Sequence, residues 1–446
     1  MLTELKKKIQ NGGVIGAGGA GFPSYAKMAP GADTLIVNGA ECEPLLYTDY
    51  VLLREYMQRL IAAITIVAKE LGVKQSFLAM KNHTAKKLSL EDGQKLAENI
   101  YIRSLPDVYP MGDEIILIYE TTKRIVPPGK LPMHCGVIVY NVETVLNITK
   151  CIESETPVVE KWLTVGGDIE NPRVVRVSVG IRIRDLFSVL GIAVDDDHVV
   201  LDGGPSMGRI VNHNTDVVLK NTKALLVLPK NCVAVSSKMV SLDAQKRRGS
   251  SACCQCTRCT DMCPRALLGY PLAPHKLVRV ASADENLDPS VYLSATMCSS
   301  CGICETAACC QGLSPKDMIA ALKADLAKKK MKYVIEDPTK PLEQRDYRLV
   351  PSERWKTLLG VDKYDREAIL YNVKIIPDFV EIPMRGHIGA PSVPCVKPGD
   401  LVKYGDKIAD AADGLSVPQH ASIDGRIFVA DSEKIIIEKQ NTNLSK

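Results

Sequence analysis

Ten of the chain's fifteen cysteines lie between Cys253 and Cys310, packed into two short segments. The first, Cys253-Cys-Gln-Cys256-Thr-Arg-Cys259-Thr-Asp-Met-Cys263-Pro264, matches the C-x2-C-x2-C-x3-C-P run of two-cluster ferredoxins at every ligand position. Three thiolates at that spacing can wrap one iron–sulfur cube, while the fourth, turned by the proline, reaches the neighbouring cube. The second segment, Cys298-Ser-Ser-Cys301-Gly-Ile-Cys304-Glu-Thr-Ala-Ala-Cys309-Cys310, departs from the run. Four residues separate Cys304 from Cys309, and a cysteine follows where the proline would stand. Ferredoxin-style crossing predicts one [4Fe-4S] centre on Cys253, Cys256, Cys259 and Cys309 and a second on Cys263, Cys298, Cys301 and Cys304, with Cys310 the alternative to Cys309. Structural zinc also suits C-x2-C pairs, but a zinc ribbon takes two ligands per knuckle and each segment here offers three.

At 446 residues the chain is too long for one ordinary core, and three or four domains are expected. Its 56 basic and 52 acidic residues leave a net charge of +4, too little for a nucleic-acid footprint. Apolar runs such as Ile61 to Ala68 fall short of the roughly 18 to 20 residues that a membrane-spanning helix needs, so no membrane insertion is expected and the chain reads as cytoplasmic.

Four blocks follow from periodicity. Residues 1–160 alternate strand-like runs (Thr34 to Val37, Ser76 to Met80, Ile115 to Tyr119, Gly136 to Tyr140) with helical segments (Tyr50 to Leu71, Glu143 to Ser154), which is an α/β pattern. Residues 161–232 carry short alternating strands and one helix near Ile183 to Leu190, a small α+β unit. A basic linker, Lys246-Arg247-Arg248-Gly249-Ser250-Ser251, leads into the cysteine block, 240–335, whose spacer has helical character. Residues 372–440 alternate short β-runs with glycine turns and read as a small barrel or sandwich.

Gly16-Ala17-Gly18-Gly19-Ala20-Gly21-Phe22-Pro23 contains G-x-G-x-x-G, but the preceding Leu2, Leu5 and Ile9 have helical spacing, not that of the strand a dinucleotide fingerprint requires. Four glycines can still bring several backbone N–H groups against a phosphate or flavin, because no Cβ blocks the approach. The apolar run Leu35-Ile-Val37 ends in Asn38-Gly39-Ala40-Glu41-Cys42-Glu43-Pro44, and ligands in open α/β sheets sit at such carboxyl ends. Asn38, Glu41 and Glu43 could bond a flavin or ribose there, or make a solvated turn.

GAGGAGFPSYAK, NGAECEP, YPMGDE, VPPGKLP and YNVETVLNI stand here in the order seen in flavin-binding subunits, so the block resembles the NADH-oxidising flavoprotein subunit of complex I and the Rnf electron-transport complex C subunit. Nearly the whole chain resembles the cobalamin reductase family of propanediol-utilisation microcompartments, including Leu201-Asp-Gly-Gly-Pro205, Leu225-Leu-Val-Leu-Pro229 and the stretch from Cys298 to Pro315. The resemblance implies an α/β FMN and NADH domain, a soluble-ligand-binding β-grasp module, a helical two-[4Fe-4S] ferredoxin-type domain and a C-terminal lipoyl-like barrel-sandwich hybrid. Asp410-Ala-Ala-Asp413 stands where a lipoyl domain has its modified lysine, so a docking or structural barrel is expected, with His387 and His420 as turn or core residues.

Carried over by residue, the resemblance assigns FMN and its phosphate to Gly16, Gly18, Gly19, Gly21 and Lys27, and the flavin–nicotinamide pocket to Asn38, Glu41, Glu43, Gly112, Asp113 and Glu114. Asn141, Glu143 and Thr144 complete the FMN site, and Glu41, Glu43 and Glu114 take the catalytic positions. Ala17 and Ala40 stand where complex I subunits have Arg and Asp. It further implies NADH as co-substrate and FMN converting hydride into single electrons for two [4Fe-4S] clusters. The electrons would end on cob(III)- or cob(II)alamin, met directly or through its adenosyltransferase, for coenzyme B12 recycling. Shell proteins become partners, and the location is inside or attached to a bacterial microcompartment. An Rnf-type NADH:ferredoxin or flavodoxin module, and a non-catalytic iron–sulfur conduit, are the alternatives. The base-off corrinoid pattern D-x-H-x-x-G is approached only at Asp196-Asp-His198-Val-Val-Leu201, with leucine in place of the glycine.

Overall fold

Five strands form the first sheet, in the order Lys95–Ala97, Ile100–Leu105, Gln75–Lys81, Thr34–Asn38, Val137–Asn141, and all but the hairpin edge Lys95–Ala97 run parallel. They belong to a computed structural model that describes residues 2–28, 30–283, 289–335 and 338–440. Thr34–Asn38 and Val137–Asn141 are apolar on both faces, as strands of a covered parallel sheet require. One face packs under the helices Leu2–Asn11, Thr48–Leu71 and Val142–Ser154 around Leu35, Val37, Leu60, Ile64, Leu78 and Ile148. Thr34–Asn38 pairs with Gln75–Lys81 on one side and Val137–Asn141 on the other, so the chain order reverses there and a crevice opens at the carboxyl ends, where Asn38 and Asn141 are register partners.

The run Ile115 to Tyr119, expected as a strand, is instead part of the helix Glu114–Thr122. Asp113 caps it by accepting from the N–H groups of Ile115 and Ile116 at 3.0 and 3.2 Å. Residues 115–118 are all buried, so the helix has no polar face in this stretch to reveal its period. This helix covers the other face of the sheet and shares a core with the cysteine region, in which Ile116, Leu117 and Val139 join Ala266, Leu268, Leu277 and Ile319.

A six-stranded sheet follows, ordered Arg209–Val211, His198–Asp202, Ala224–Pro229, Glu160–Gly167, Arg173–Ser178, Ile369–Ile375, with the helix Ile183–Leu190 burying Ile183, Leu186, Phe187 and Leu190 on it. Its last strand comes from the chain just before the C-terminal unit and pairs parallel to Arg173–Ser178. The expected basic linker is helical: Leu242–Ala252 starts at a Ser241 cap and carries Lys246 to Ser251. Gly249 permits its close packing, since a Cβ there would lie 2.3 Å from Ser282 Oγ. Pro274–Ala283 and Pro315–Lys328 complete the frame around the cysteines.

The C-terminal unit is two small antiparallel sheets. Phe379–Pro383, Lys434–Lys439, Gly425–Ala430 and Leu401–Val402 face Val393–Pro394, Lys407–Asp410 and Gln419–His420 across a core of Val380, Ile382, Ile408, Ile427, Ile435 and Ile437. It packs on the glycine loop, where Ile388 N–H donates to Gly21 O at 3.1 Å. Among the described residues no helix is long and apolar enough to cross a membrane.

Candidate functional site

The glycine loop leaves the end of Leu2–Asn11 and is pinched shut where Gly16 N–H donates to Phe22 O at 2.9 Å. Ala17 N–H donates to Thr144 Oγ1 at 3.0 Å, which fixes the loop over the N-terminus of the helix Val142–Ser154. Asn141 caps that helix: its Oδ1 accepts from Glu143 N–H at 3.0 Å, and its Nδ2 donates to Asp49 Oδ2 at 2.9 Å. A Cβ on Gly18 would come within 3.0 Å of the Asn141 amide, whereas at Gly19 the space is open. The loop, this helix end and the strand ends of 34–38 and 137–141 enclose a cavity of about 330 Å³, within the range of small-molecule sites. Gly16, Gly18, Gly19, Gly21, Lys27, Asn38, Gly112, Glu114, Asn141 and Thr144 line it. Lys27 Nζ bonds Glu114 Oε1 at 2.5 Å and Val139 O at 3.2 Å on its floor.

A smaller hollow of about 120 Å³ continues from the cavity through Gly18, Asn38, Gly112 and Asn141 to Glu41, Glu43 and Asp113. Burial and the charge of Asp49 push the Glu41 carboxyl up to about 7. Its Oε1 accepts from Asp49 N–H at 3.3 Å, while Oε2 is shielded and unpartnered. Asp49 pairs with Lys223 from the second sheet. Glu43 turns toward the second sheet: its oxygens accept from Ser206 N–H and Met207 N–H at 2.9 and 3.0 Å, and a Cβ on Gly204 would collide with it. Burial raises its pKa. Glu143 lies beneath the cavity, paired with Lys161 and accepting from Trp162 N–H at 3.0 Å.

The cysteines gather in two places. Cys253, Cys254, Cys256, Cys259, Cys309 and Cys310 border one pocket, and Cys263, Cys298, Cys301 and Cys304 border the other. The two C-x2-C-x2-C loops share a backbone device. Gln255 and Ser300 precede the middle cysteine at φ +54° and +60°, and Thr257 and Gly302 follow it at +62° and +84°. Left-handed residues on both sides of the middle cysteine turn successive sulfurs toward one centre, at a cost that three non-glycine residues accept. N–H groups reach the sulfurs: Ser300 donates to Cys298 Sγ and Leu313 to Cys309 Sγ, each at 3.3 Å, and Gln255 Nε2 to Cys253 Sγ at 3.0 Å. Ser299 and Cys301 also line the Glu41 hollow, so the second set reaches the hollow that opens off the larger cavity; the first, with Cys256 exposed, faces solvent.

Several residues that hold this arrangement were not singled out by sequence reasoning. Lys161, fully buried in Glu160–Gly167, bonds Ala17 O at 3.1 Å and so supports the glycine loop from the second sheet, and burial lowers its pKa. A lysine amid Val158, Val159, Trp162 and Leu163 was the signal that could have found it. Asn221 reaches Gly19 O at 3.3 Å. Tyr109 donates to Cys301 O at 2.7 Å and stacks on Trp355 with centroids 4.5 Å apart.

Comparison with known proteins agrees with this geometry. Residues 9–150 match the Nuo51 FMN-binding domain, 252–314 a 4Fe-4S dicluster domain and 367–443 the RnfC barrel sandwich hybrid domain. Fold and site together define an oxidoreductase of the flavin and iron–sulfur electron-transfer class. The chain belongs to the cobalamin reductase family. It is 37% identical to the cobalamin reductase PduS of Citrobacter freundii and 36% identical to that of Salmonella typhimurium, in each case over 97% of this chain and 96% of the relative. It is also 31% identical, over 60% of its length and 57% of the relative, to the C subunit of the proton-translocating ferredoxin:NAD(+) oxidoreductase complex of Clostridium ljungdahlii.

Proposed function

We propose that the chain takes electrons from NADH at the glycine-loop cavity and delivers them singly, through two [4Fe-4S] sites, to cob(III)- or cob(II)alamin. The observation that carries this reading is the shared wall: Ser299 and Cys301 border the same hollow as Asn38, Glu41 and Asp113. A cysteine ligand in the hollow that opens off the flavin cavity removes the need for any moving carrier between them. The names of the two relatives aligned over almost their full length support cobalamin as the acceptor.

The residues fit the groups. A bound FMN would supply the exchange between hydride and single electrons, and the clusters a one-electron relay. Gly18, Gly19 and Gly21 with the end of Val142–Ser154 offer N–H groups and a positive helix end to the phosphate, while Gly16 lines the same wall and closes the loop on Phe22 O. Lys27, Asn38 and Glu114, which line the same cavity, would hold the ring. Glu41 carries a protonatable group of near-neutral pKa in the adjoining hollow. Cys263, Cys298, Cys301 and Cys304 hold the inner cluster, and Cys253, Cys256, Cys259 and Cys309 the outer one. The family resemblance supports a cytoplasmic place inside or attached to a microcompartment, with shell proteins and the adenosyltransferase as neighbours.

Anaerobic NADH oxidation by FMN- and iron-reconstituted protein, with aquacobalamin as sole acceptor, tests the reading. Stoichiometric cobalt reduction that disappears in Cys256→Ala is expected. Flavin bleaching without cobalt reduction, but with reduction of an added ferredoxin or flavodoxin, would replace cobalamin by that carrier. An unbleached flavin would leave only a passive conduit.

A further inference from the structure

Cys254 and Cys310 are left over when two sets of four ligands are drawn, and they lie together. The sulfurs of Cys254, Cys256 and Cys310 all fall within 4.8 Å of one another, and all three residues are exposed. Cys254 directly follows Cys253 and Cys310 directly follows Cys309, and both of those preceding residues line the outer pocket. Iron bound by Cys253, Cys256, Cys259 and Cys309 would engage Cys256 and pin the two backbones that carry the remaining thiols. Arg248 braces the same junction: its Nη2 donates to Gln311 O and Gly312 O at 3.4 and 3.0 Å, tying the helix that leads into Cys253 to the turn after Cys310.

We propose that Cys254 and Cys310 form a surface dithiol that closes into an intramolecular disulfide across the mouth of the outer cluster site. The inference rests on the reading above in taking Cys309 as the ligand. The oxidant is a small disulfide such as oxidised glutathione. The Cys254 thiolate attacks it, forming a mixed disulfide and releasing one glutathione thiolate; the Cys310 thiolate then attacks the Cys254 sulfur and releases the second. Two protein thiols lose two electrons and two protons, and one small disulfide becomes two thiols. A disulfide needs the sulfurs at about 2.0 Å, so the two exposed side chains must rotate toward each other to form it. The closed bridge straps the two ligand loops together, so it holds the outer cluster against loss under oxidising conditions.

The test uses reconstituted holoprotein without oxygen, treated with oxidised glutathione, alkylated, and read by peptide mass together with visible absorbance. Cross-linked peptides joining Cys254 to Cys310 are expected, with two fewer alkylated thiols and the iron–sulfur absorbance retained. Cys310→Ser should keep both clusters, carry one glutathione on Cys254 and lose the outer cluster to a chelator several-fold faster than the bridged wild type. Alkylation of both thiols after the oxidant, or a mixed disulfide that persists in the wild type, would overturn the proposal. Loss of the outer cluster in Cys310→Ser, with retention in Cys309→Ser, would overturn it by a different route, showing the ligand assignment itself to be wrong.

Discussion

Arg265 Nη2 donates to Asp113 Oδ2 at 2.7 Å, and this pair ties the rim of the flavin-side cavity to the inner cysteine set. Asp113 caps Glu114–Thr122 and borders the Glu41 hollow, while Arg265 stands two residues after Cys263 and lines the inner pocket. Both side chains are largely buried. Asp113→Asn keeps a capping oxygen but leaves the arginine charge without its counter-ion, a change that costs about 3 to 5 kcal/mol when a buried pair is broken. Urea unfolding should register that loss. In rapid mixing, flavin bleaching should persist while appearance of the reduced iron–sulfur signal slows; an unchanged ratio of the two rates would rule out a positioning role for the pair.

Because the inner set reaches the Glu41 hollow through Cys301 and the outer set faces solvent, serine in place of a ligand should act differently at the two sites. Cys301→Ser should leave the flavin reducible by NADH with the outer cluster unreduced within a turnover. Cys256→Ser should leave an inner cluster that still reduces, with delivery to an external acceptor lost. Electron paramagnetic resonance on samples frozen after mixing reads both. Equal reduction of the outer cluster in wild type and Cys301→Ser would mean that electrons leave by another route.

Lys161 joins the second sheet to the flavin cradle, through Glu143 on one side and Ala17 O on the other. Lys161→Met leaves Glu143 buried without its partner, and a destabilisation of about 3 to 5 kcal/mol is expected. The double variant Lys161→Met with Glu143→Leu should recover much of it, because the penalty is the orphaned charge and not the missing bond. FMN affinity should fall in both, since each lacks the support beneath Ala17. Affinity restored along with stability would assign Lys161 to folding alone.

Much of this was legible before the structure because it follows from local pattern. The strands 34–38, 75–81 and 137–141 and the helices 48–71, 142–154 and 183–190 announce themselves by apolar runs and periodicity, and the gathering of the cysteines in two places by spacing. Ile115 to Tyr119 misled because residues 115–118 are buried together, a pattern that helix and strand share, and Asp113 was the overlooked cap. Lys246 to Ser251 looked like a linker because its charges hide a helix held by Ser241 at its start and by the small Gly249 against Ser282 and Met318. Glu43 and Glu143 sit next to the cavity in sequence, yet their partners are Ser206, Met207 and Lys161, brought in by other units. The lysine in an apolar run marks Lys161 as a buried charge, but no local pattern says which carboxylate it meets.

Glu41 supplies a pH dependence whose sign follows from its surroundings. Burial and Asp49 raise its carboxyl from 4.5 to about 7, so between those values the folded chain keeps a proton that the unfolded chain releases. Stability is therefore undiminished by this group below about pH 4, falls as the pH rises, and carries the full penalty above 7. Glu41→Gln removes the penalty while preserving shape. The variant should match wild type near pH 4 and exceed it at pH 8 by about 1 to 3 kcal/mol. Denaturant unfolding of both proteins across that range measures it. A difference of the same size at every pH would show that Glu41 does not titrate near neutrality, and the carboxyl would then be an ionised member of the Asp49–Lys223 network instead of a proton-holding group beside the flavin.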